Sequence, residues 1–407
     1  MKILIVADVY PPEISSAANL MQELAQGLKQ KGYDVIVATS YPKYYLTKEA
    51  KEKSFKVFSE ECGIKIIRVK VLPHHKVNFI IRGISQLILP FIFFKKIKEK
   101  IKKIDVVIVY SPPLPLALIG KMIKKKYGAK FILNIQDIFP QNAIDLGILK
   151  KRKHKPIIYF FELIEKMVYG FADKITFHSE GGRRFLIDKK GINPDKIITL
   201  PNWIDLSFYQ NLNQEILFRK QWKLQKKFVF LFAGIIGPAQ GLEFLIKIAQ
   251  KVSNIKEIVF LLVGDGMEKE KIKNLIKKHN LKNVIIKPFV SKEQYPYLVK
   301  ESDVCLVCLS PKNKTPFTPG KFLGYMAAGK PILAFLNKES DAFELINKVG
   351  CGYAIASDDL ENAVKITEKI YKEKDKLSQF GKNSLNYVYN NLSIEVCLNK
   401  LERIIKE

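Results

Sequence analysis

Apolar runs of strand length alternate with helix-like patterns from the first residues onward, which is the signature of parallel sheets joined by crossover helices. Residues 2–9 begin Lys2-Ile-Leu-Ile-Val and read as a buried first strand. The helix that follows carries Leu20, Leu24 and Leu28 on one stripe, with Ser15 or Ser16 as candidate cap and Gly32 as its stop. Val35 to Thr39 is the second strand. Ile64 to Val71, Asp105 to Val109, Lys130 to Ile135 and Lys174 to Phe177 continue the series, and Pro112-Pro113 and Pro140 mark turns beyond strand carboxyl ends. The pattern predicts a doubly wound domain.

A second series starts after Asn202, with strands at Phe228 to Phe232, Ile258 to Val263, Val284 to Lys287, Val304 to Leu309, Pro331 to Phe335 and Gly352 to Ile355, each followed by a helix-like segment. Between the two series, Asp205 to Lys227 is polar and rich in Gln and Asn, so the interdomain connection is placed there. The predicted division is a first domain over 1–205, a second over 206–384, and a C-terminal helix over 385–407 that packs back toward the first. Open parallel sheets bind ligands beyond their strand carboxyl ends, and two such domains facing a deep cleft would suit two-substrate transfer.

Composition agrees with two cores: 407 residues, 47% hydrophobic and 11% aromatic, are too apolar for disorder and too many for one core. A formal charge of +28, from 68 Lys plus Arg against 40 Asp plus Glu, favours an anionic partner such as a lipid surface, nucleic acid or a phosphorylated substrate. Lysine greatly outnumbers arginine, which partly reflects codon bias, and no basic motif of a known nucleic-acid module is present, so no nucleic acid is expected. Of five scattered cysteines only Cys305 and Cys308 lie close together, in a strand-like run where residues three apart face opposite sides. No metal site is expected from them. The apolar start is broken at Pro11-Pro12, too early for a signal peptide, and no uninterrupted apolar stretch approaches the roughly 18 residues of a spanning helix. A soluble or peripheral protein is expected.

Glycines stand where strands meet helices, at Gly234-Ile-Ile-Gly237 and Gly264-Asp-Gly266, where backbone can approach a diphosphate or simply turn. Their order is informative: Asn202-Trp-Ile-Asp205, Gly234 to Gly241, Gly264-Asp-Gly266 and Gly320-Lys-Phe-Leu-Gly-Tyr-Met-Ala-Ala-Gly-Lys-Pro331. This succession resembles glycosyltransferase family 4 over essentially the whole chain. Pro11-Pro-Glu13, Gln136-Asp-Ile-Phe-Pro140 and Ala172-Asp-Lys-Ile-Thr-Phe-His-Ser179 resemble its fucosamine-transferase-like branch, which serves O-antigen and capsule pathways.

The resemblance implies an α/β GT-B fold of two Rossmann-like domains and a nucleotide-sugar donor, UDP being the expected carrier, held by the second domain. It implies retention of anomeric configuration with no metal ion and no other cofactor. The donor-binding positions it implies are Asn202, Gly234, Gly237, Gly264, Asp265, Thr318, Gly320 and Lys321. In the first domain, Ser15 and Ser16 sit where members carry glycines near the sugar and phosphate, and either bind acceptor or cap the helix. Asp137 is the candidate catalytic group, to orient or deprotonate the acceptor hydroxyl, with a turn residue or helix cap as the alternative, and Gln136 could bond a sugar hydroxyl. His178 is a further acceptor-binding candidate, with a packed structural histidine as the alternative.

Two departures matter. A pair of glutamates usual in the family falls here on Pro316 and Gly324, so no carboxylate is available for the ribose, and the downstream Glu339 and Glu344 do not match the pattern. The usual basic pair is also absent from Gly234 to Gly241. Lys321, in the first turn of a helix, is the candidate to meet the diphosphate charge, with a solvated surface lysine as the alternative.

Phe79 to Lys103 join Ile80, Ile81, Ile84, Leu87, Ile88, Leu89 and Phe91 to Phe94 with a run of lysines from Lys95. An apolar anchor beside a cationic cluster is how peripheral helices hold anionic lipid, although a core helix with a solvated end would read alike. The acceptor of the resembled branch is a polyprenyl-diphosphate-linked saccharide, which places the protein at the inner face of the bacterial cytoplasmic membrane. The competing readings are a UDP-N-acetylglucosamine 2-epimerase-like enzyme and a non-catalytic nucleotide-sugar-binding scaffold.

Overall fold

The computed structural model describes every residue except 44, 45, 47–49, 51, 74–78, 211, 213–216 and 317, and the side chains of residues 79 and 80. The chain forms two compact units. The first holds Met1–Ile144, Leu149–Asn202 and Ile394–Glu407; the second holds Asp145–Ile148 and Trp203–Ser393.

The first unit is built on β1 (Lys2–Val6), β2 (Asp34–Ser40), β3 (Phe58–Glu61), β4 (Ile64–Val69), β5 (Val106–Ser111), β6 (Lys130–Ile135), β7 (Lys174–Phe177) and β8 (Ile197–Thr199). They lie in the order β3-β4-β2-β1-β5-β6-β7-β8, and only β3 runs antiparallel to its neighbour. Strands of such a sheet are covered on both faces, so β1, β2, β5 and β6 read as near-continuous apolar runs. The first strand stops at Val6, short of residue 9; the Ala7 amide still makes a ladder bond, to the Ala38 carbonyl (3.1 Å), before the chain enters the Pro11-Pro12 turn. Leu20, Leu24 and Leu28 are all buried on the Ser16–Gln30 helix, and of the two candidate caps it is Ser15 whose hydroxyl accepts from the Ala18 amide (3.1 Å).

The second unit carries β9 (Phe228–Ala233), β10 (Ile258–Val263), β11 (Val284–Lys287), β12 (Val304–Cys308), β13 (Ile332–Leu336) and β14 (Gly352–Ala356), all parallel, in the order β11-β10-β9-β12-β13-β14. Each sheet reverses its direction of growth once, between β1 and β5 in the first and between β9 and β12 in the second. A crevice opens at such a reversal, beyond the strand carboxyl ends, because the flanking loops leave in opposite directions.

The stretch 205–227, expected to be the connection, belongs to the second unit, which the chain enters between Asn202 and Trp203. Its few apolar residues decide this: Leu206, Phe218 and Leu224 are buried in that unit's core. The Glu301 carboxylate accepts from the amides of Leu217, Phe218 and Arg219 (2.6–2.9 Å), and Arg219 pairs with Asp303 at 2.6 Å. Residues 211 and 213–216 of that stretch lie outside the described residues.

The C-terminal segment also divides. The Leu377–Asn391 helix packs on the Lys321–Ala327 helix of the second unit, whereas the Ile394–Lys406 helix lies against the Ser16–Gln30 helix of the first. Glu402 fixes the latter contact by pairing with Lys31 at 2.8 Å and accepting from the Tyr33 hydroxyl at 3.0 Å.

Candidate functional site

The crevice of the second sheet is lined by the turns that follow its central strands. After β9 the chain turns at Gly234, which has φ of 143°, and after β10 at Gly264 and Gly266. These turns rest on each other. The Gly234 amide donates to the Val263 carbonyl and the Gly264 amide to the Lys287 carbonyl, both at 2.9 Å. A Cβ on Gly264 would fall well inside contact with the Gly234 carbonyl oxygen, and one on Gly266 would meet that of Ile236. These glycines therefore serve close backbone packing, and the amides of Gly234 and Gly264 are already committed within the sheet. Asp265 is exposed; its carboxylate accepts from the Gly266 amide (2.8 Å) and pairs with Lys269 (3.2 Å), which holds it below the usual carboxylate range.

Lys321 reaches across the first of these turns. A Cβ on Gly234 would lie 2.7 Å from Lys321 Cε and 2.8 Å from Nζ, and Nζ stands 4.7 Å from the centre of the Phe232 ring. The residue is half-buried, and it makes no hydrogen bond or ion pair with any described residue. Burial pushes the ammonium down to about 8, with the Cys308 thiol nearby working weakly the other way. Even a half-buried cation without a carboxylate carries some desolvation cost, so an anion entering this crevice would meet a site already organised for it. The helix that Lys321 opens has only seven residues, Lys321–Ala327, so the ammonium carries more of the electrostatic work than the helix dipole. Gly237 closes the turn beside Gln240, while Thr318 is half-buried and Gly320 exposed just ahead of Lys321.

Gly324 shows what has become of the missing carboxylate. It is buried, and a Cβ there would lie 2.7 Å from a ring carbon of Tyr295 and 3.0 Å from the hydroxyls of both Tyr209 and Tyr295. Two tyrosines occupy the volume a longer side chain would need. Downstream, Glu339 is paired with Lys314 at 3.2 Å. Cys305 and Cys308 face different cores, one on each side of β12, and among the described residues no cluster of His, Cys, Asp or Glu could hold a metal ion.

In the first unit, Gln136, His178 and Asn202 meet. Gln136 follows β6; its side-chain amide donates to Asn134 Oδ1 (2.6 Å) and its Oε1 accepts from Asn202 Nδ2 (2.7 Å). His178, after β7, places Nε2 3.2 Å from the Gln136 carbonyl, so that nitrogen carries the proton it donates. Burial pushes this imidazole down to about 4, which keeps it neutral at pH 7. Asn202 thus bonds within the first unit, joining the loops after β6, β7 and β8.

Asp137 is left out of this group. Its side chain reaches solvent, while the protein around it raises its carboxyl above the ordinary range. Ser15 is occupied as helix cap and Ser16 is exposed beside it. Contacts between separate βα loops leave no periodic trace, so the meeting of these distant residues is not visible in the sequence.

Two family models match in succession, Glycosyltransferase Family 4 over residues 17–208 and Glycosyl transferases group 1 over residues 213–387. The chain belongs to the family 4 glycosyltransferases. Among its relatives is a probable glycosyltransferase, WbjE of Pseudomonas aeruginosa, 26% identical with 82% of each chain covered. WcaI of Escherichia coli, named for glycosyl transfer in colanic acid biosynthesis, is 25% identical over 81% of this chain and 82% of its own. Anabaena HepE, solved in complex with UDP, superposes over the full length of both chains with a TM-score of 0.72 at 15% identity. This glycosyltransferase therefore has the GT-B fold, with two doubly wound α/β units. Among the described residues, no helix is long and apolar enough to cross a membrane.

Proposed function

We propose that this glycosyltransferase moves a sugar, an N-acetylated hexosamine or deoxyhexosamine, from its UDP conjugate to a polyprenyl-diphosphate-linked saccharide during surface polysaccharide synthesis. The observation that carries the reading is Lys321, an ammonium without an ionic partner beside the glycine turn at the sheet reversal of the second unit. HepE supports UDP as the carrier, and the name of WcaI supports a polysaccharide product.

In this reading the bond between the anomeric carbon and the diphosphate oxygen breaks as the acceptor oxygen bonds that carbon on the same face. Charge gathers on the departing diphosphate, and Lys321 stabilises it where a metal ion would otherwise be needed. The acceptor hydroxyl loses its proton as it attacks. Asp137, the acidic group after β6 that stands outside the Gln136 network, orients that hydroxyl and takes the proton or passes it on to the diphosphate. Gln136, His178 and Asn202 hold the loop that carries it.

The acceptor's lipid remains in a bilayer. An outward stripe of Ile81, Ile84, Ile88 and Phe91 on the Phe79–Lys100 helix, running into Lys95 and Lys98, supports work at an anionic inner-membrane surface. The test offers purified protein several UDP-N-acetylhexosamines with polyprenyl-diphosphate saccharide in vesicles. Sugar incorporated into the lipid fraction, reduced in Asp137→Asn and Lys321→Ala, is the expected result. Conversion of UDP-N-acetylglucosamine without acceptor would indicate an epimerase, and nucleotide binding without turnover on any acceptor would indicate a scaffold.

A further inference from the structure

The Lys155–Phe171 helix, with the sequence KPIIYFFELIEKMVYGF, is apolar on both its sides. Its inner side is accounted for: Phe161, Ile164 and Val168 are buried in the first unit's core, and Glu165 is paired there with Lys190 at 2.8 Å. The opposite side holds Tyr159, Phe160, Leu163 and Met167, which recur at helical spacing and are 62%, 44%, 46% and 43% exposed. Glu162 and Lys166 are exposed at one margin of this outward side, and an open apolar stripe of this kind on a basic protein marks a surface that meets something apolar.

The Phe79–Lys100 helix presents the same kind of face. Phe91 is 60% exposed, on a stripe with Ile81, Ile84 and Ile88, while Leu89, Phe93 and Ile97 enter the same core as Phe161 and Ile164. The Leu118–Tyr127 helix packs against both. The two outward stripes thus belong to one layer of helices on one face of the sheet. Cations border them: Lys95 and Lys98 on the first helix, and Lys151, Arg152 and Lys153 ahead of the second with Lys155 at its first position, all exposed.

We infer that the Lys155–Phe171 helix is a second membrane-inserting element, and that it and the Phe79–Lys100 helix form one docking face for an anionic phospholipid bilayer. This rests on the membrane part of the proposed function and extends it to an element that the first amphipathic segment does not include. Charge selects the occupant. A second copy would bring another +28 chain, with the same lysine border, against the first. An anionic bilayer satisfies both parts of the face, taking the apolar stripes into the acyl boundary and the lysines among its headgroups.

The test is co-sedimentation of the full chain with vesicles of phosphatidylglycerol and phosphatidylethanolamine, and with neutral phosphatidylcholine vesicles. Three proteins are compared: wild type, Leu163→Glu/Met167→Glu and Phe91→Glu. These positions are exposed, so circular dichroism and UDP affinity should match wild type and confirm an intact fold. The expected result is binding to the anionic vesicles that falls at least about tenfold in both variants and on the neutral vesicles. Binding lost in Phe91→Glu but retained in Leu163→Glu/Met167→Glu would overturn the inference while leaving the membrane reading in place. Absence of vesicle binding by wild type would overturn both, although sugar transfer to the lipid-linked acceptor in detergent would still preserve the transferase reading. Lipid-free wild type that sediments as a dimer, with Leu163→Glu/Met167→Glu a monomer, would assign the face to a second copy and also overturn the inference.

Discussion

At the carboxyl end of the first sheet the buried polar groups are engaged with one another: Gln136 with Asn134, Asn202 with Gln136, His178 with the Gln136 backbone. At the corresponding end of the second sheet, Lys321 has no ionic partner and lies over a glycine turn. A closed network positions loops and has little capacity left for a ligand. An unpaired ammonium in a crevice retains all of its donors for one. The difference supports the proposal that anion recognition belongs to the second unit, and it leaves Asp137, which stands outside the first network, as the reactive candidate of the other.

The most severe break in this comparison should come from Gly264→Ala. The added methyl meets the Gly234 carbonyl, so the stacked turns must part; UDP binding should vanish and stability should fall by about 1–3 kcal/mol in denaturant titration. Lys321→Ala should weaken UDP by roughly tenfold to a hundredfold, the range of a lost charge-assisted contact, without lowering the melting temperature, because removing a half-buried cation relieves a cost. Gln136→Leu should do the reverse. It strands the Asn134 and Asn202 side chains, costing about 1–3 kcal/mol of stability, while calorimetry shows UDP affinity unchanged.

Acidity sharpens the same contrast. The folded chain releases the Lys321 proton near pH 8, earlier than the unfolded chain, whose lysines titrate at about 10.4. The destabilisation from this half-buried charge is therefore fully present below about pH 8 and is relieved as pH rises from there toward 10.4. UDP binding needs the charged form and should run the opposite way, weakening by up to about tenfold per pH unit above 8. Lys321→Arg, which stays charged, should flatten that slope. His178, pushed down to about 4, should contribute nothing to either profile near neutrality.

Much of the fold was legible because parallel strands buried on both faces must be apolar throughout, as β9 and β10 are. The strands that escaped notice are β3, Phe58–Glu61, half-exposed with charged residues, and β8, three residues long. Neither offers a run to detect. In the second unit, glycines at strand ends and a lysine opening a helix are visible in the sequence, but their spacing could not show that the Gly234 and Gly264 amides are already bonded. Nor could it show that Tyr209 and Tyr295 crowd Gly324. The outward face of the Lys155–Phe171 helix was opaque for a different reason: apolar residues on two sides of a helix do not tell which side is buried, and only solvent exposure reveals the second face.

The central claim, that the nucleotide diphosphate is held by the unpaired cation and glycine turns of the second unit, is tested most directly by hydrogen exchange with and without saturating UDP. Protection concentrated in residues 234–241, 264–268 and 318–323, with residues 134–139 and 177–180 unchanged, is the predicted result. Protection confined to the loops of the first sheet, or absent from both, would contradict it.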